Sequence, residues 1–463
     1  MQLYDGLAVA DDTHFIQPGQ IYPHQARDLR GLLEAAEALA LDHVWICPGT
    51  QLSTSCSDVG ADLDGWSIAA SYTDPKARDH YNYVSARRLE KRHEDRIQIG
   101  LSEWHYWPWT INRPRDLLAT ITYLQNDLGV PVEWSPAHVG LDFLRLKHQQ
   151  TWSWFQPCSI DLEEKIPNFL YANTCKEFHW LRRGELPPGK YILKIDKNSD
   201  HPAAATGVNL GEKNPEFVQP AMISAGFYDG RKPGFWLVEY HPRQSIFDGV
   251  RAPGISGFKY MTTDLVEQLK KVGYAVHVKS GWAWEHYHQV LRRPMTELWA
   301  LRQAAKQDRE RSTAHENAYK SYGSIMHAIP GRFADDDGRD LHFRRRDWWA
   351  TIVARAISTG LYNISEIVKR LGPVVVLVDV DALLIVTDEP DPARLLPWLL
   401  NRNKLGGYKD EWVQRITPEI RDWFREPGIT SKRIMTRLNE RHAARIKQLD
   451  FCKGKEKYNE TTN

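Results

Sequence analysis

Apolar residues along this chain change their period several times, and each change marks an element. From Leu29 to Asp42 the run LRGLLEAAEALALD repeats its leucines and alanines every three to four positions, which predicts an amphipathic helix; HVWICPG at 43–49 then reads as a strand. RDLLATITYLQNDLG at 115–129 predicts a second helix, stopped by Gly129 and Pro131. Helix followed by strand across the first ~140 residues predicts a layered α/β domain. Further on, GKYILKIDKNSDHP (189–202) and GPVVVLVDVDALLIVTDEP (372–390) read as strands around a polar centre. Between them TTDLVEQLKKVG (262–273) predicts a helix and YAVHVKSGWAW (274–284) a strand. A long helical stretch runs from Thr296 to Ser321, a second from Asp347 to Leu371, and a basic helical tail follows Pro418. Strands converging from distant sequence, with a long charged helix inserted, predict a mixed α/β (α+β) domain carrying an excursion.

A chain of 463 residues has room for two to four domains with sizeable cores. Its 42% hydrophobic and 26% charged residues suit a soluble protein. No apolar run approaches the roughly 18 residues of a membrane span, and MQLYDGLAVADD does not read as a signal peptide. A cytoplasmic location with no membrane partner is therefore expected. Cys47, Cys56, Cys158, Cys175 and Cys452 are scattered, with neither metal-ligand nor disulfide spacing, which fits free thiols in a reducing compartment. The formal net charge of +1 hides basic clusters at RLEKR (88–92), HFRRRD (342–347) and from Lys432 to Lys457. Most of the 18 tryptophans are expected in cores, with some able to stack on bases.

The candidate chemistry lies in carboxylates. Asp379 and Asp381 sit inside the apolar run VVVLVDVDALLIV, where burying even one unpaired charge costs several kcal/mol, roughly. Either both are solvated at a hairpin tip, or a cation sits between them; hard carboxylate oxygens suit Mg²⁺. Asp196 ends another apolar strand in YILKIDKNSDHP, where one aspartate alone would ordinarily cap a turn. Set beside an Asp-x-Asp, it predicts three carboxylates converging from separate strands. Two metal ions about 4 Å apart, clamping an attacking hydroxyl and a leaving phosphate, need that arrangement.

In these segments the chain resembles the family B DNA polymerases, in particular the protein-primed group of small bacteriophages and linear plasmids. That group's first palm motif, D-x-N-S-L-Y-P-A, is similar to DKNSDHPA from Asp196 to Ala203, with Phe178 and Trp180 in a comparable lead-in. The third motif, D-T-D between apolar strands, corresponds to Asp379-Val380-Asp381. The second motif, K-x-x-x-N-S-x-Y-G on the fingers helix, resembles HENAYKSYGS at 315–324. A lysine-leucine-glycine segment follows the third motif, here NKLGGYKDEW at 403–412. The resemblance covers residues 175–412 and keeps the motif order.

The resemblance implies a polymerase right hand behind a ribonuclease H-like exonuclease-type domain. Its boundaries would be 1–180 for that domain, 181–290 and 331–415 for the palm, 291–330 for the fingers and 416–463 for the thumb. It implies Asp196, Asp379 and Asp381 as catalytic metal ligands for Mg²⁺ or Mn²⁺. Arg311, His315, Tyr319, Tyr322, Ser199 and His201 would face the nucleotide, and Lys404 and Lys409 the nucleic acid. Partners would be primer–template DNA, nucleoside triphosphates and a priming or replication protein. In the C-terminal helix, Arg433, Arg437, Arg441 and Arg445 fall four apart; either they track a phosphate backbone or they form a solvated face with pairs such as Glu440.

Departures from the pattern are specific. His201 replaces the tyrosine that screens the sugar, and Asp200 replaces the leucine before it. Val380 replaces threonine, Tyr319 and Lys320 replace asparagine and serine, and His315 and Arg311 stand where the family has lysines. Residues 1–150 hold no Asp-x-Glu, and Asp5, Asp11 and Asp12 have the wrong spacing for an exonuclease centre, so no 3′→5′ proofreading is expected. Cys175-Lys176-Glu177 replaces the glycine pair that links the two domains. The stretches on either side of the fingers leave little room for the group's two insertions. The reading is template-directed nucleotidyl transfer; the alternative is a polymerase-fold protein acting as a nucleic-acid-binding or assembly subunit.

Overall fold

The structure is a computed structural model that describes residues 6–56, 63–72, 81–90, 96–101, 107–109, 111, 113–133, 135–155, 158–166, 179–182, 184–241, 257–333, 345–379 and 381–460. Asp5, Cys175-Lys176-Glu177, Phe178 and Val380, singled out above, lie outside the described residues. The chain divides into two compact units, Met1–Phe155 with Leu291–Gly338 and Gln156–Val290 with Arg339–Asn463. The first cut thus falls near Phe155 rather than at 180, and the segment expected as separate fingers belongs to the unit that holds the N-terminal sheet.

In the first unit the strands are β1 (Leu7–Ala10), β2 (His14–Gln17), β3 (Gln20–Pro23), β4 (His43–Ile46), β5 (Trp66–Tyr72), β6 (Tyr81–Arg88) and β7 (Ile97–Leu101). They form one sheet in the order β3-β2-β1-β4-β7-β6-β5. The β1–β4 and β4–β7 pairs are parallel and the rest antiparallel. A parallel pair needs a crossover, and the Leu29–Ala38 helix supplies it between β3 and β4. Asp28 starts that helix by accepting the Gly31 N–H, and Leu29, Leu32, Leu33 and Ala36 pack into the core with Val44, Ile46 and Ile99.

The long helical stretch is two helices, Arg292–Asp308 and Thr313–Arg332. The break comes at Ser312, whose extended backbone and side-chain oxygen cap the second helix at the His315 N–H. Helix-forming residues on both sides hide this break in the sequence. The second helix packs against the helices Pro114–Leu128 and Pro136–Lys147. Gly140 permits that approach, since a Cβ there would come 2.5 Å from Ile329.

In the second unit, β8 (His179–Leu181), β9 (Tyr191–Lys197), β16 (Val375–Asp379), β17 (Ala382–Thr387) and β18 (Tyr408–Arg415) form an antiparallel sheet ordered β18-β9-β17-β16-β8. The Arg346–Leu371 helix covers one face through Leu361, Ile364 and Ile367. The C-terminal helices cover the other through Ile420, Phe424, Ile434 and Leu438. β17 is buried at all six positions, so its continuous apolar run is what two covered faces require.

The stretch between the first palm-like motif and residue 291, expected to be too short for an insertion, holds structure of its own. β10 (Leu210–Gly211) pairs with β15 (Tyr287–His288). β11 (Glu216–Val218), β12 (Gly234–His241), β13 (Gly257–Thr262) and β14 (Ala275–Ala283) make a four-stranded sheet ordered β11-β14-β12-β13. The Thr263–Lys271 helix buries Leu265, Val266 and Leu269 against it. The strand expected at 274–284 is β14 and the helix expected at 262–273 is the Thr263–Lys271 helix, whereas β11, β12 and β13 were not anticipated. The basic HFRRRD cluster is also partly internal: Arg345 is fully buried, forks onto Asp347 at 2.6 Å and 2.9 Å, and stacks on Trp348, while Arg346 pairs with Glu163. No helix among the described residues is long and apolar enough to cross a membrane.

Glu133 and Asp142 form a carboxyl pair in the first unit, with Arg145 donating to Asp142 at 2.6 Å. Burial first, then the charge of Asp142, pushes the Glu133 carboxyl up to about 7. The folded chain thus keeps a proton that the unfolded chain has already released. This stabilisation is complete below the unfolded value of 4.5 and is lost as pH rises through about 7. Urea titrations at about pH 5 and about pH 8 should show a smaller stability difference for Glu133→Gln than for the unmodified protein. Equal differences would show that the pair does not titrate with folding.

Candidate active site

Sheet register brings the carboxylates to one end of the second unit. Leu383 pairs with Ile195 across β17 and β9, and the same register carried one step further sets Ala382 opposite Asp196. Asp379 pairs with Ala382 across β16 and β17. Directly opposed residues share a face, so Asp196 and Asp379 flank Ala382 on the side of the C-terminal helices. They are separated by two strand spacings, about 10 Å. Asp381 lies in the turn between β16 and β17 and is half-buried.

The electrostatics couple Asp196 with Asp381. Burial first, then the charges of Asp196 and Asp200, pushes the Asp381 carboxyl up to about 7. Asp196 is also raised, chiefly by burial, against the opposing pull of the Lys409 ammonium. Both side chains offer hard carboxylate oxygens, the donor type that suits Mg²⁺ or Mn²⁺. Among the described residues no three His, Cys, Asp or Glu side chains stand close enough to hold one ion.

The sequence reading missed three groups. Asp200 is buried, and its partner is the equally buried Lys197 ammonium. Lys409, called as a nucleic-acid contact, sits opposite Asp196 in the β18–β9 register with its ammonium 3.2 Å from that carboxylate and 3.1 Å from Glu411. Glu411 in turn takes the Lys194 ammonium at 2.7 Å. Tyr408 lies buried beneath the cluster; burial, with Asp200, Asp381 and Asp196 nearby, raises its phenol well above the usual range.

Local backbone explains the first motif. Ser199 adopts a left-handed conformation (φ 50) immediately before the Asp200–Gly207 helix, a strained state for a residue with a Cβ. The loop containing Lys404 is tied to it: Gly406 N–H donates to the Asn198 carbonyl at 2.8 Å, and Asn198 N–H to the Gly407 carbonyl at 3.0 Å. A Cβ on Gly406 would meet Ala203 at 2.6 Å, which accounts for glycine there. Lys404 itself is exposed. The His201 ring stacks on Trp349, centroids 5.8 Å apart and planes 11° apart.

The other residues named from the sequence are described within their own units. Arg311, His315, Tyr319 and Tyr322 lie in the first unit. Tyr322 is fully buried with its hydroxyl donating to Asp127 at 2.7 Å, so its ring has no face open to a nucleotide here. Tyr319 lies under the Arg302 guanidinium, and the His315 ring is 4.8 Å from Tyr123. Arg311 is exposed beside Asp308. Of the tail arginines, Arg433 and Arg437 reach Glu426, and Arg441 reaches Glu419 at 2.5 Å. The acidic partners come from the preceding turn and helix rather than from Glu440 within the same helix.

In the first unit, the carboxylates of Asp11 and Asp12 are engaged with backbone. Asp11 accepts the N–H groups of Thr13 and His14, and Asp12 accepts that of Leu52.

Taken with the sheet order and the helices on both its faces, this arrangement has the fold of a DNA polymerase. Phi29 DNA polymerase complexed with single-stranded DNA matches with a TM-score of 0.52 at 11% identity, over 85% of this chain and 78% of that one. The same polymerase in ternary complex with primer–template DNA and incoming nucleotide matches with a TM-score of 0.50 at 10% identity, over 85% and 79%. Likeness at that identity establishes the fold. No protein-family model matches the sequence, and no curated protein matches it.

Because Lys197 and Asp200 are both buried, removing one strands the other. Asp200→Leu should cost about 3–5 kcal/mol of stability, and adding Lys197→Met should recover most of it. A double-mutant cycle by chemical denaturation reads this coupling directly. Additive losses would mean that the two charges do not hold each other.

Proposed function

We propose that the protein carries out template-directed nucleotidyl transfer, extending a primer on a DNA template with nucleoside triphosphates and without 3′→5′ proofreading. The observation that carries this reading is the meeting of Asp196 and Asp381, far apart in sequence, at one sheet end of a chain with the phi29 polymerase fold. A divalent ion bound there would supply Lewis-acid stabilisation of the developing phosphoryl charge and a more acidic primer hydroxyl. Asp196 and Asp381 would hold that ion; Lys197 keeps Asp200 neutralised beside them. By the resemblance, His201 would face the sugar of an incoming nucleotide; its ring stacks on Trp349, and Ser199 forms the left-handed turn just before it. Proofreading is not proposed because Asp11 and Asp12 serve as turn and cap acceptors.

A second reading is supported by the Lys409–Asp196 ion pair and by the buried Tyr322: a polymerase-fold protein that binds nucleic acid or nucleates an assembly without extending a primer. Primer extension separates the two. With Mg²⁺ or Mn²⁺ the full chain should extend a DNA primer, and Asp196→Ala or Asp381→Ala should lower the rate by about 10³-fold or more while duplex binding persists. Extension that survives both substitutions would overturn the assignment of the site; no extension by the unmodified protein would favour the binding subunit.

Sugar choice gives a separate outcome. Imidazole is shorter than phenol and can exchange a hydrogen bond with a hydroxyl, so exclusion of ribonucleotides should be weak. His201→Tyr should raise the preference for dNTPs over rNTPs by roughly 10- to 200-fold in competition kinetics. A strong dNTP preference already present, and unchanged by the substitution, would place the sugar filter at another residue.

A further inference from the structure

We propose that Lys409 is a resident cation for Asp196, so that a divalent ion engages this carboxylate only by displacing the lysine, with Glu411 determining how readily it leaves. The proposal rests on the metal-dependent reading of the site above.

Four observations support it. Lys409 lies directly across the β18–β9 ladder from Asp196, so the strand register itself delivers the ammonium to the carboxylate. Its Nζ stands 3.2 Å from Asp196 Oδ2, within the first coordination distance of an ammonium ion. The same Nζ stands 3.1 Å from Glu411 Oε1, so a second acceptor is already in reach. An irregularity in the ladder between Asp410 and Trp412 brings Glu411 beside Lys409, and Lys194 holds its other oxygen at 2.7 Å.

The physical consequence is a competition. An ammonium and a divalent ion cannot share one carboxylate at contact distance without strong repulsion, because the low dielectric of a partly buried site screens it weakly. Lysine is suited to stepping aside: its charge rides on a flexible four-carbon stem. An open concavity of 400 Å³, lined by Lys194, Asp410, Glu411, Trp412, Asn439 and His442, gives that stem room on the same side of the sheet. Asp196 therefore never waits uncompensated in the folded chain, and occupancy by metal is tuned by how strongly Glu411 draws the lysine away. Removing Lys409 should tighten metal binding. Removing the charge of Glu411 should weaken it, since Asp196 then becomes the lysine's only anionic anchor at contact distance among the described residues.

The test is Mn²⁺ binding to the full chain, read by calorimetry and by the electron paramagnetic resonance signal of free Mn²⁺ at fixed ionic strength. Lys409→Met should tighten binding by on the order of tenfold or more, and Glu411→Gln should shift it in the opposite direction. Arg415→Met removes an equal charge from the far end of the same strand and should leave the affinity near that of the unmodified protein. Lys409→Met with unchanged or weaker affinity overturns the proposal, as does an equal gain in Arg415→Met, which would reduce the effect to bulk charge. Should Lys409→Met fail to give a cooperative thermal transition, Glu411→Gln decides alone: weaker binding supports the lysine's role, and unchanged or tighter binding overturns it. Absence of Mn²⁺ binding in the unmodified protein and in Lys409→Met alike would sink the metal-dependent reading itself, and this proposal with it.

Discussion

The register of β17 governs the chemistry of the second unit. All six of its residues are buried, with Leu383 and Ile385 in one core and Leu384 and Val386 in the other. Because successive side chains point to opposite faces, slipping the strand by one residue would exchange those two sets and leave both cores misfilled. The apolar packing thus holds the strand in one position, and that position sets Asp381 beside the end of β9 and Asp196 opposite Ala382. Like charges are brought together by hydrophobic burial, a force large enough to overcome their repulsion. Burial raises the proton affinity of both carboxyls, and at Asp381 the charges of Asp196 and Asp200 raise it further.

How this repulsion is managed distinguishes the chain from the pattern it resembles. Asp200 stands where that pattern has leucine, and would be an uncompensated buried charge if nothing else had changed. Lys197, three residues earlier, compensates it. Lys409 compensates Asp196 in the same manner from the neighbouring strand, and Lys194 does so for Glu411. His201 belongs to the same group of changes, since its flat ring lies parallel to Trp349. Both departures in the first motif thus have neighbours that accommodate them: Asp200 pairs with Lys197, and the His201 ring stacks on Trp349.

What could be read from the sequence follows from the range of each interaction. An Asp-x-Asp inside an apolar run, or an apolar strand ending in Asp196, is a local contradiction and announces itself. Helices with clear periodicity, such as Arg346–Leu371 and Thr263–Lys271, fell close to their expected limits. Interactions set by register or by packing between distant segments were silent. Lys409 reads as one more basic residue until β18 is paired with β9, and the Tyr322 hydroxyl finds Asp127 only once the two helices have packed. The tail arginines show the limit of spacing arguments, because four-residue spacing fixes the face of a helix and says nothing of what that face meets. What it meets is Glu419 and Glu426. Ser312 shows a related limit: an N-cap inside a run of good helix formers looks like one more helical residue.

Charge balance also bears on how such a site can exist before it is used. A carboxylate cluster that depended on metal for its compensation would lose much of its stabilisation whenever the metal left, and folding would be tied to metal supply. Here Lys197 and Lys409 are covalently part of the chain and arrive with the strands they neutralise. Their cost is selectivity in reverse, since a cation that stabilises the empty site opposes whatever must replace it. The two lysines differ in this respect. Lys197 and Asp200 are both buried and pair with each other, so that pair can persist unchanged. Lys409 is partly exposed, has a second acceptor in Glu411, and borders open space. One lysine is built to stay and the other to move, and the distinction lies in burial and in the number of acceptors within reach rather than in the residue type.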